Sequence, residues 1–468
     1  MPPKDAYEKA DIDQYSPVRS WTHLPYGVCA IPSDVPRHSE LTTVEGHMSV
    51  REGTALESHA AIQLGPALHP SISRARLIKL IGYLILFAGS LPILELAAYA
   101  YLRTFEGYDG VHLMSYEFDD YKNIRPTPNY RNTKGIYHNA QGFREDLNTP
   151  REKPPNTYRV FIMGGSTAYG LGSLSRFGKA KYEVIRNDQT IDHYLEQFLD
   201  GKLDKRVEVI NAAITSQYSH HHLIYLNQTI LSYSPDMVIF IDGFNDYYPY
   251  EGDFDQWRDY AYQERVHQFM DKPTLRAWVL YTGWWLFRKS HLVNVAGRAV
   301  RPLWIQFHKL GQERARIDVG EAIKNLERNA QANFVKMVER NGLILAHEHV
   351  KAAFTLQPEI VFKQSKKLSN LEQAIYDEMN HHWEENLVEY KNRALPLVRR
   401  LLKEATAKSN AAFIDLTDVF GGMEEDAYTD YTHLTPAGNR RVAEYLAERL
   451  LPMISEDIAT HTIGLARR

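Results

Sequence analysis

Apolar residues crowd into one long block early in the chain and, beyond residue 157, into short runs separated by helical patterns. The block, Leu77 to Leu102 (LIKLIGYLILFAGSLPILELAAYAYL), exceeds the roughly 20 residues that carry a helix across a hydrocarbon core at ~1.5 Å per residue. It predicts a transmembrane helix over 74–103. Lys79 and Glu95 interrupt it near its two ends, where polar side chains reach an interface. It begins too far along the chain for a cleaved signal peptide, and no small-residue cleavage motif follows it. The alternative for such a run is a buried helix of a soluble core. Arg74, Arg76 and Lys79 crowd the N-terminal flank, whereas Arg103 is followed by Glu106 and Asp109. The positive-inside rule then puts the N-terminus in the cytoplasm and everything after Leu102 outside it. The expectation is a single-pass protein of the cytoplasmic (inner) membrane with a periplasmic domain. Residues 1–73 are rich in Pro, Ser, His and charge with no sustained apolar period, and read as a disordered cytoplasmic tail.

After a linker over 104–157, β-branched and aromatic runs alternate with helical patterns, as βαβ units of a parallel sheet do. Five strands are predicted: Tyr158 to Met163, Arg206 to Ile210, Met237 to Ile241, Lys351 to Leu356 and Ala411 to Leu416. Each is largely apolar, as strands covered on both faces should be. Helical patterns cover Thr190 to Phe198 and His222 to Leu231, and a last helix runs from Pro436 to Leu451, with Val442, Tyr445, Leu446 and Leu450 on one face. The fold class is therefore α/β, a three-layer α/β/α domain over 158–454, with a helical insertion at about 247–345 and a tail at 455–468. Within the insertion, Ala277 to Phe287 (AWVLYTGWWLF) is too short to span a bilayer. Arg276, Arg288 and Lys289 flank it, as they would an interfacial helix, a core helix or a lid.

Composition narrows the chemistry. The chain has 468 residues, 44% hydrophobic and 24% charged, with net charge -4. That balance leaves no basic footprint for nucleic acid. A single cysteine, Cys29, excludes a disulfide framework and a thiolate metal site. Neither His220-His221-His222 nor His381-His382 makes a metal site, because adjacent helical residues point to different faces. No cofactor is called for.

Ser166, in Gly164-Gly165-Ser166-Thr167, follows the first strand directly, at the carboxyl edge where open α/β sheets bind ligands. Gly-Gly-Ser is also ordinary turn chemistry. A hydroxyl nucleophile needs a base, and the base a carboxylate that fixes its tautomer. Asp430-Tyr431-Thr432-His433, just before the last helix, offers both three residues apart, although a capping loop with a solvent-facing His would read the same. Asn211-Ala212-Ala213-Ile214-Thr215-Ser216 ends the second strand and Asp242-Gly243-Phe244-Asn245-Asp246 the third, so Ser216 and Asn245 fall at the same edge. Acyl transfer needs N–H donors aimed at a developing oxyanion, and an Asn amide fits that need as well as it fits a turn.

In these four motifs, taken in order, the chain resembles the SGNH/GDSL hydrolase superfamily over about Tyr158 to Leu451. The resemblance implies a flavodoxin-like strand order 2-1-3-4-5. It implies Ser166 as nucleophile and oxyanion donor, Asn245 of Gly-Phe-Asn-Asp as a second donor, His433 as base and Asp430 as its orienter. Gly165 stands where the family usually has Asp, and Ser216 where its second block usually has a glycine, so the Ser216 N–H is the least typical of the three oxyanion donors. The segment His138-Asn139-Ala140-Gln141-Gly142-Phe143-Arg144 is similar to one that precedes the first strand in anchored members and lies against the domain near the active site; a surface turn at Gly142 is the other reading. Anchored members imply acyl transfer, with acetyl esters of a cell-surface carbohydrate as substrate. Water as acceptor makes an esterase, and a sugar hydroxyl makes an O-acyltransferase supplied by a membrane-bound acyl-delivery partner. A lipase-like esterase and a non-catalytic polysaccharide-binding or scaffold subunit are the alternatives.

Overall fold

The computed structural model describes residues 73–119, 121–173, 184–247, 275–309, 316–330, 334–362, 365–382 and 384–466. The segment 1–72, read above as a disordered tail, lies outside them, as does 248–274 of the insertion. The chain divides into two compact units, with the break between Ala97 and Ala98.

The first unit is most of α1 (Arg74–Tyr101), which continues as a π-helical turn over Leu102–Glu106. Its most apolar window has a mean hydropathy of 2.1, and none of that window is buried. Ile78, Leu86, Ile93 and Leu96 all project outward. By length and composition α1 can cross a bilayer, and the naked apolar surface is what distinguishes it from the core helix that the same sequence also allowed.

The second unit opens with two small antiparallel hairpins, β1 (Tyr116–Asp119) with β2 (Asn123–Pro126), and β3 (Arg131–Asn132) with β4 (Ile136–Tyr137). Then come β5 (Thr157–Gly164), α2 (Ser166–Tyr169), α3 (Ile191–Leu199), β6 (Arg206–Asn211), α4 (Ser219–Gln228) and β7 (Met237–Asp242). The insertion contributes α5 (Leu275–Lys289), α6 (His291–Lys309), α7 (Val319–Ala330) and α8 (Phe334–His347). The chain closes with β8 (Lys351–Leu356), α9 (Asn370–His382), α10 (Leu387–Ala407), β9 (Ala412–Asp415) and α11 (Pro436–Ala466).

The five strands form one parallel sheet in the order β6-β5-β7-β8-β9, the expected 2-1-3-4-5. Every residue of β5 and β7 is buried, which is why both read as largely apolar runs rather than alternating ones. α3 and α11 pack together beside β6, while α8 packs on both α4 and α10, with α4 against β5, α8 and α10 against β8, and α10 also against β9. Helices thus cover the sheet on both faces, with Phe240 and Phe354 stacked at 4.5 Å in between.

α11 runs well past the helix end read at Leu451. Pro452 sits inside it, and Ile454, Ile458 and Asp457 are buried. Asp457 accepts a hydrogen bond from the Tyr158 hydroxyl at 3.0 Å. Packing at these positions overrides the stop that proline signals in an isolated helix.

Candidate active site

β5 must turn at once into α2, and the crowding at that corner selects glycine. A Cβ on Gly164 (φ +156°) would lie 2.3 Å from the Ile241 carbonyl oxygen and 2.6 Å from the Ala168 Cβ. Ser166 is the first residue of α2, whose opening N–H groups have no intrahelical acceptor. Thr167, Ala168 and Tyr169 are buried, and Ser166 is half-buried, so the hydroxyl is presented at the sheet edge on a turn that cannot shift.

The Asp430 to His433 loop closes on itself. Asp430 Oδ1 accepts from the Thr432 and His433 N–H groups at 3.1 and 2.9 Å, and the Thr429 N–H donates to the His433 carbonyl at 2.8 Å. Asp430 Oδ2 stands 2.7 Å from His433 Nδ1, and His433 Nε2 stands 2.8 Å from Ser166 Oγ. A carboxylate takes only a proton donor as partner, so Nδ1 carries the hydrogen and Nε2 is left to accept from the serine. Asp430 and His433 are fully buried. Residues far apart in the chain thus form one hydrogen-bonded line ending at a half-open hydroxyl.

The Asn245 amide donates to the Gln217 carbonyl at 2.9 Å. A Cβ on Gly165 would meet Asn245 Nδ2 at 3.0 Å and the Gln217 oxygen at 3.1 Å. The loops holding Ser216 and Asn245 therefore border the nucleophile turn directly, and the lack of a side chain at 165 is what lets them approach. Ser216 takes the left-handed conformation, φ 61°, which explains why glycine suits the position. Ser166, Ser216, Phe244 and Asn245 are all partly open.

Several groups around this edge carried no signal of their own in the sequence. Gln357, at the end of β8, donates to the Thr432 hydroxyl at 2.5 Å and to that of Thr167 at 3.3 Å, tying the His433 loop to α2. The Lys391–Glu359 pair, 3.3 Å apart and fully buried, sits under the Asn245 loop. Lys391 lies 4.3 Å from the Phe244 ring centre, and the Tyr247 hydroxyl donates to Glu359 at 2.9 Å. Behind β7, His222 Nδ1 lies 3.1 Å from Asp242. Burial would push that imidazole down, but Asp242 outweighs it and leaves its pKa raised. Burial, reinforced by Asp242, pushes the neighbouring Asp246 carboxyl up to about 7. Two buried carboxylates and a mid-helix histidine are visible in the sequence, yet only the topology makes them a cluster. Among the described residues no group of His, Cys, Asp or Glu could hold a metal ion.

The His138 to Arg144 segment turns at Gly142 (φ +86°) and lies on the nucleophile helix. Arg144 donates to the carbonyls of Tyr169 and Gly170 at 2.5 and 2.7 Å, to that of Ile185, and to Asn187 Oδ1 at 3.1 Å. Its guanidinium lies 4.4 Å from the Tyr169 ring centre. Two of these charge-assisted donations satisfy the carbonyls of Tyr169 and Gly170, at the end of a four-residue helix that can offer little of its own, and the third ties Ile185 to the same side chain. His138 Nδ1 donates to the Thr127 carbonyl at 3.1 Å, and its Nε2 accepts from the Tyr169 hydroxyl at 2.8 Å.

No known family model matches the chain, and no curated protein matches its sequence. Among solved structures it is similar to an acetylxylan esterase from Geobacillus stearothermophilus, at 11% identity and TM-score 0.30 over 62% of this chain and 93% of that one. A putative acylhydrolase from Bacteroides fragilis is similar at 12% and 0.32 over 65% and 91%. An extracellular lipase from Streptomyces rimosus is similar at 11% and 0.33 over 62% and 99%. At such scores the likeness carries no argument, and the chemistry rests on the geometry of the chain itself.

Proposed function

We propose that this chain is a serine-dependent ester hydrolase or O-acyltransferase of the SGNH/GDSL type, with Ser166, His433 and Asp430 as its triad. The observation that carries the reading is the line from Asp430 Oδ2 to His433 at 2.7 Å and from His433 Nε2 to Ser166 Oγ at 2.8 Å.

Ser166 Oγ attacks the ester carbonyl carbon while its proton passes to His433 Nε2, and Asp430 stabilises the imidazolium. The carbonyl oxygen becomes an oxyanion, to which we assign the N–H groups of Ser166 and Ser216 and the second amide proton of Asn245. The C–O bond to the alcohol breaks, and the alcohol leaves with the proton from Nε2. Water or an acceptor hydroxyl then attacks the acyl-Ser166 ester, gives its proton to Nε2, and releases the acyl group as Ser166 regains its hydrogen. No cofactor enters these steps.

A short acyl group fits best. The Cβ of Ser216 replaces open space at the oxyanion loop, and Phe244 and Tyr431, with ring centres 4.8 Å apart, narrow the same edge beside His433. Together with the resemblance to anchored SGNH proteins, this supports acetyl esters of a cell-surface carbohydrate as substrate. α1 then serves as a single-pass anchor in the cytoplasmic membrane and the site works in the periplasm. A lipase-like reading is favoured by one observation, the exposed Trp278 and Trp285 of α5.

Ser166→Ala should abolish hydrolysis of p-nitrophenyl acetate and labelling by a serine-reactive fluorophosphonate while the protein keeps its melting temperature. Activity like the wild type's in that variant would refute the assignment. Acetate release from an O-acetylated polysaccharide, compared with p-nitrophenyl palmitate turnover, separates the carbohydrate from the lipid reading.

A further inference from the structure

Five large apolar residues of α5 face outward. Leu275, Trp278, Val279, Trp285 and Leu286 are 82, 64, 62, 48 and 37% exposed. Their spacing of three, four and seven residues puts them on one face, in a stripe about 16 Å long at ~1.5 Å per residue. That face is not the contact with α6. Phe287 packs so closely on Gly297 that a Cβ there would lie 2.8 Å from its ring, and Asn294 donates to the Phe287 carbonyl at 3.0 Å. Contiguous exposed apolar surface of this kind marks a binding face.

The occupant follows from where the α5–α6 pair is held. His291, the first residue of α6, sits between Tyr99 and Tyr108, with ring centres 5.2 Å from each, and its Nε2 lies 3.2 Å from the Tyr108 hydroxyl. Arg298 of α6 lies 3.6 Å from Glu106. Tyr99 belongs to the last turn of α1 and Glu106 to the π-helical turn that follows, so the pair is fastened at the end of the one helix among the described residues that is long and apolar enough to cross a bilayer. Trp and Tyr gather at both membrane–water interfaces, and basic residues accompany helices that lie in one. The stripe ends in Arg288 and Lys289, which with His112 and His291 line a cavity of about 130 Å³; Arg288 lies 3.6 Å from Glu117.

We propose that α5 lies in the bilayer interface beside the exit of α1, its apolar stripe at the boundary between headgroups and acyl chains, so that the catalytic domain is docked on the membrane at two points. Helices that lie in the interface bury their apolar face ~5–10 Å deep in that boundary. A second contact fixes the height and orientation of the domain over the lipid surface, which a lone anchor followed by a linker does not. The inference rests on α1 spanning the membrane, which is part of the reading above.

The test uses the full chain in lipid nanodiscs. Cys29, the sole cysteine, is replaced in Cys29→Ser. Single cysteines are then introduced as Trp278→Cys and Trp285→Cys on the stripe, Leu86→Cys midway along α1, and Glu448→Cys on the exposed side of α11. Each carries an environment-sensitive fluorophore. Blue-shifted emission, quenched by nitroxide-labelled lipids, is expected at 86, 278 and 285, with water-like emission at 448. Lipid quenching at 86 with water-like emission at 278 and 285 overturns the docking and leaves the anchor standing. Water-like emission at 86 as well overturns both. Blue-shifted emission at 278 and 285 without lipid quenching means that protein, such as a second copy, covers the stripe, and also overturns the proposal.

Discussion

Asn245 and Ser216 are both assigned to the oxyanion, but they would serve it through different atoms, and substitution separates them. Asn245→Ala removes a side-chain donor and should lower kcat by about 10²–10³ with little change in KM. Equal losses in binding and turnover would mean that the amide only shapes the loop, through its bond to Gln217. Ser216 donates through its backbone, which Ser216→Gly retains. At φ 61° any side chain costs about 1 kcal/mol, so the glycine variant should keep its kcat and melt no lower than the wild type. A large loss of kcat there would show that the Ser216 hydroxyl takes part. His138 makes a third case, in stability rather than rate. Burial pushes its imidazole from an ordinary 6.5 down to about 3. Above pH 6.5 it is neutral folded or unfolded, and its contribution is complete. As the pH falls below 6.5 the unfolded chain takes up the proton and the folded one does not, so stability is lost at ~1.4 kcal/mol per pH unit down to about pH 3. Asp192 and Asp246, pushed up by burial to about 6 and about 7, work in the opposite sense, because acid relieves the cost of their buried charge. The readout is therefore a difference: between pH 7 and pH 5, the melting temperature of His138→Gln should fall less than that of the wild type. Parallel slopes would rule out a buried neutral His138.

The elements that place these residues were legible to unequal degrees. β5, β7 and β8 are largely apolar and match the predicted runs to within a residue at each end, because a strand covered on both faces writes most of its length in hydrophobicity. α4 begins at Ser219 rather than near His222. Its Tyr225 and Leu226 face the core, but so do His221 and His222, and histidines at buried positions hide the period. The hairpins β1–β2 and β3–β4 escaped prediction altogether. Strands of two to four residues that pair locally are too short to show an alternation. The four-residue α2 could never stand alone, since one turn does not repay its nucleation. It is held by Arg144 donating to its last carbonyl, by Asn211 donating to the Ala168 carbonyl at 3.2 Å, and by Thr167 on the His433 loop.

For the whole molecule, the flanks of α1 predict the topology. Arg74, Arg76 and Lys79 should retain the N-terminus in the cytoplasm, which puts Ser166 outside and removes cytosolic acyl donors from its reach. Alkaline phosphatase fused after Arg468 should be active and a fluorescent protein that folds only in the cytoplasm should be dark at the same place. The reverse pattern would overturn the orientation and with it a surface polysaccharide as substrate. The same arrangement constrains a transferase, because its acyl group would then have to arrive through the membrane by way of a partner, whereas an esterase needs none.

Two kinds of information separate in this chain. Periodicity and end signals are local, and they sufficed for the apolar span, the five strands, and a polar motif after each of three strands and before the last helix; the strand order is implied only by the resemblance those motifs carry. Ser166 and Asn245 could be singled out because each follows the carboxyl end of a strand, and Asp430 and His433 because they share a short loop just before the last helix. Distance across the chain is not local. That His433 Nε2 comes within 2.8 Å of Ser166 Oγ, that Gly165 makes room for the Asn245 amide, and that Lys391 and Glu359 meet under its loop follow from parallel strands set side by side with their carboxyl ends at one edge. The placing of His291 against Tyr99, far apart in the chain, is likewise a contact that no local pattern encodes.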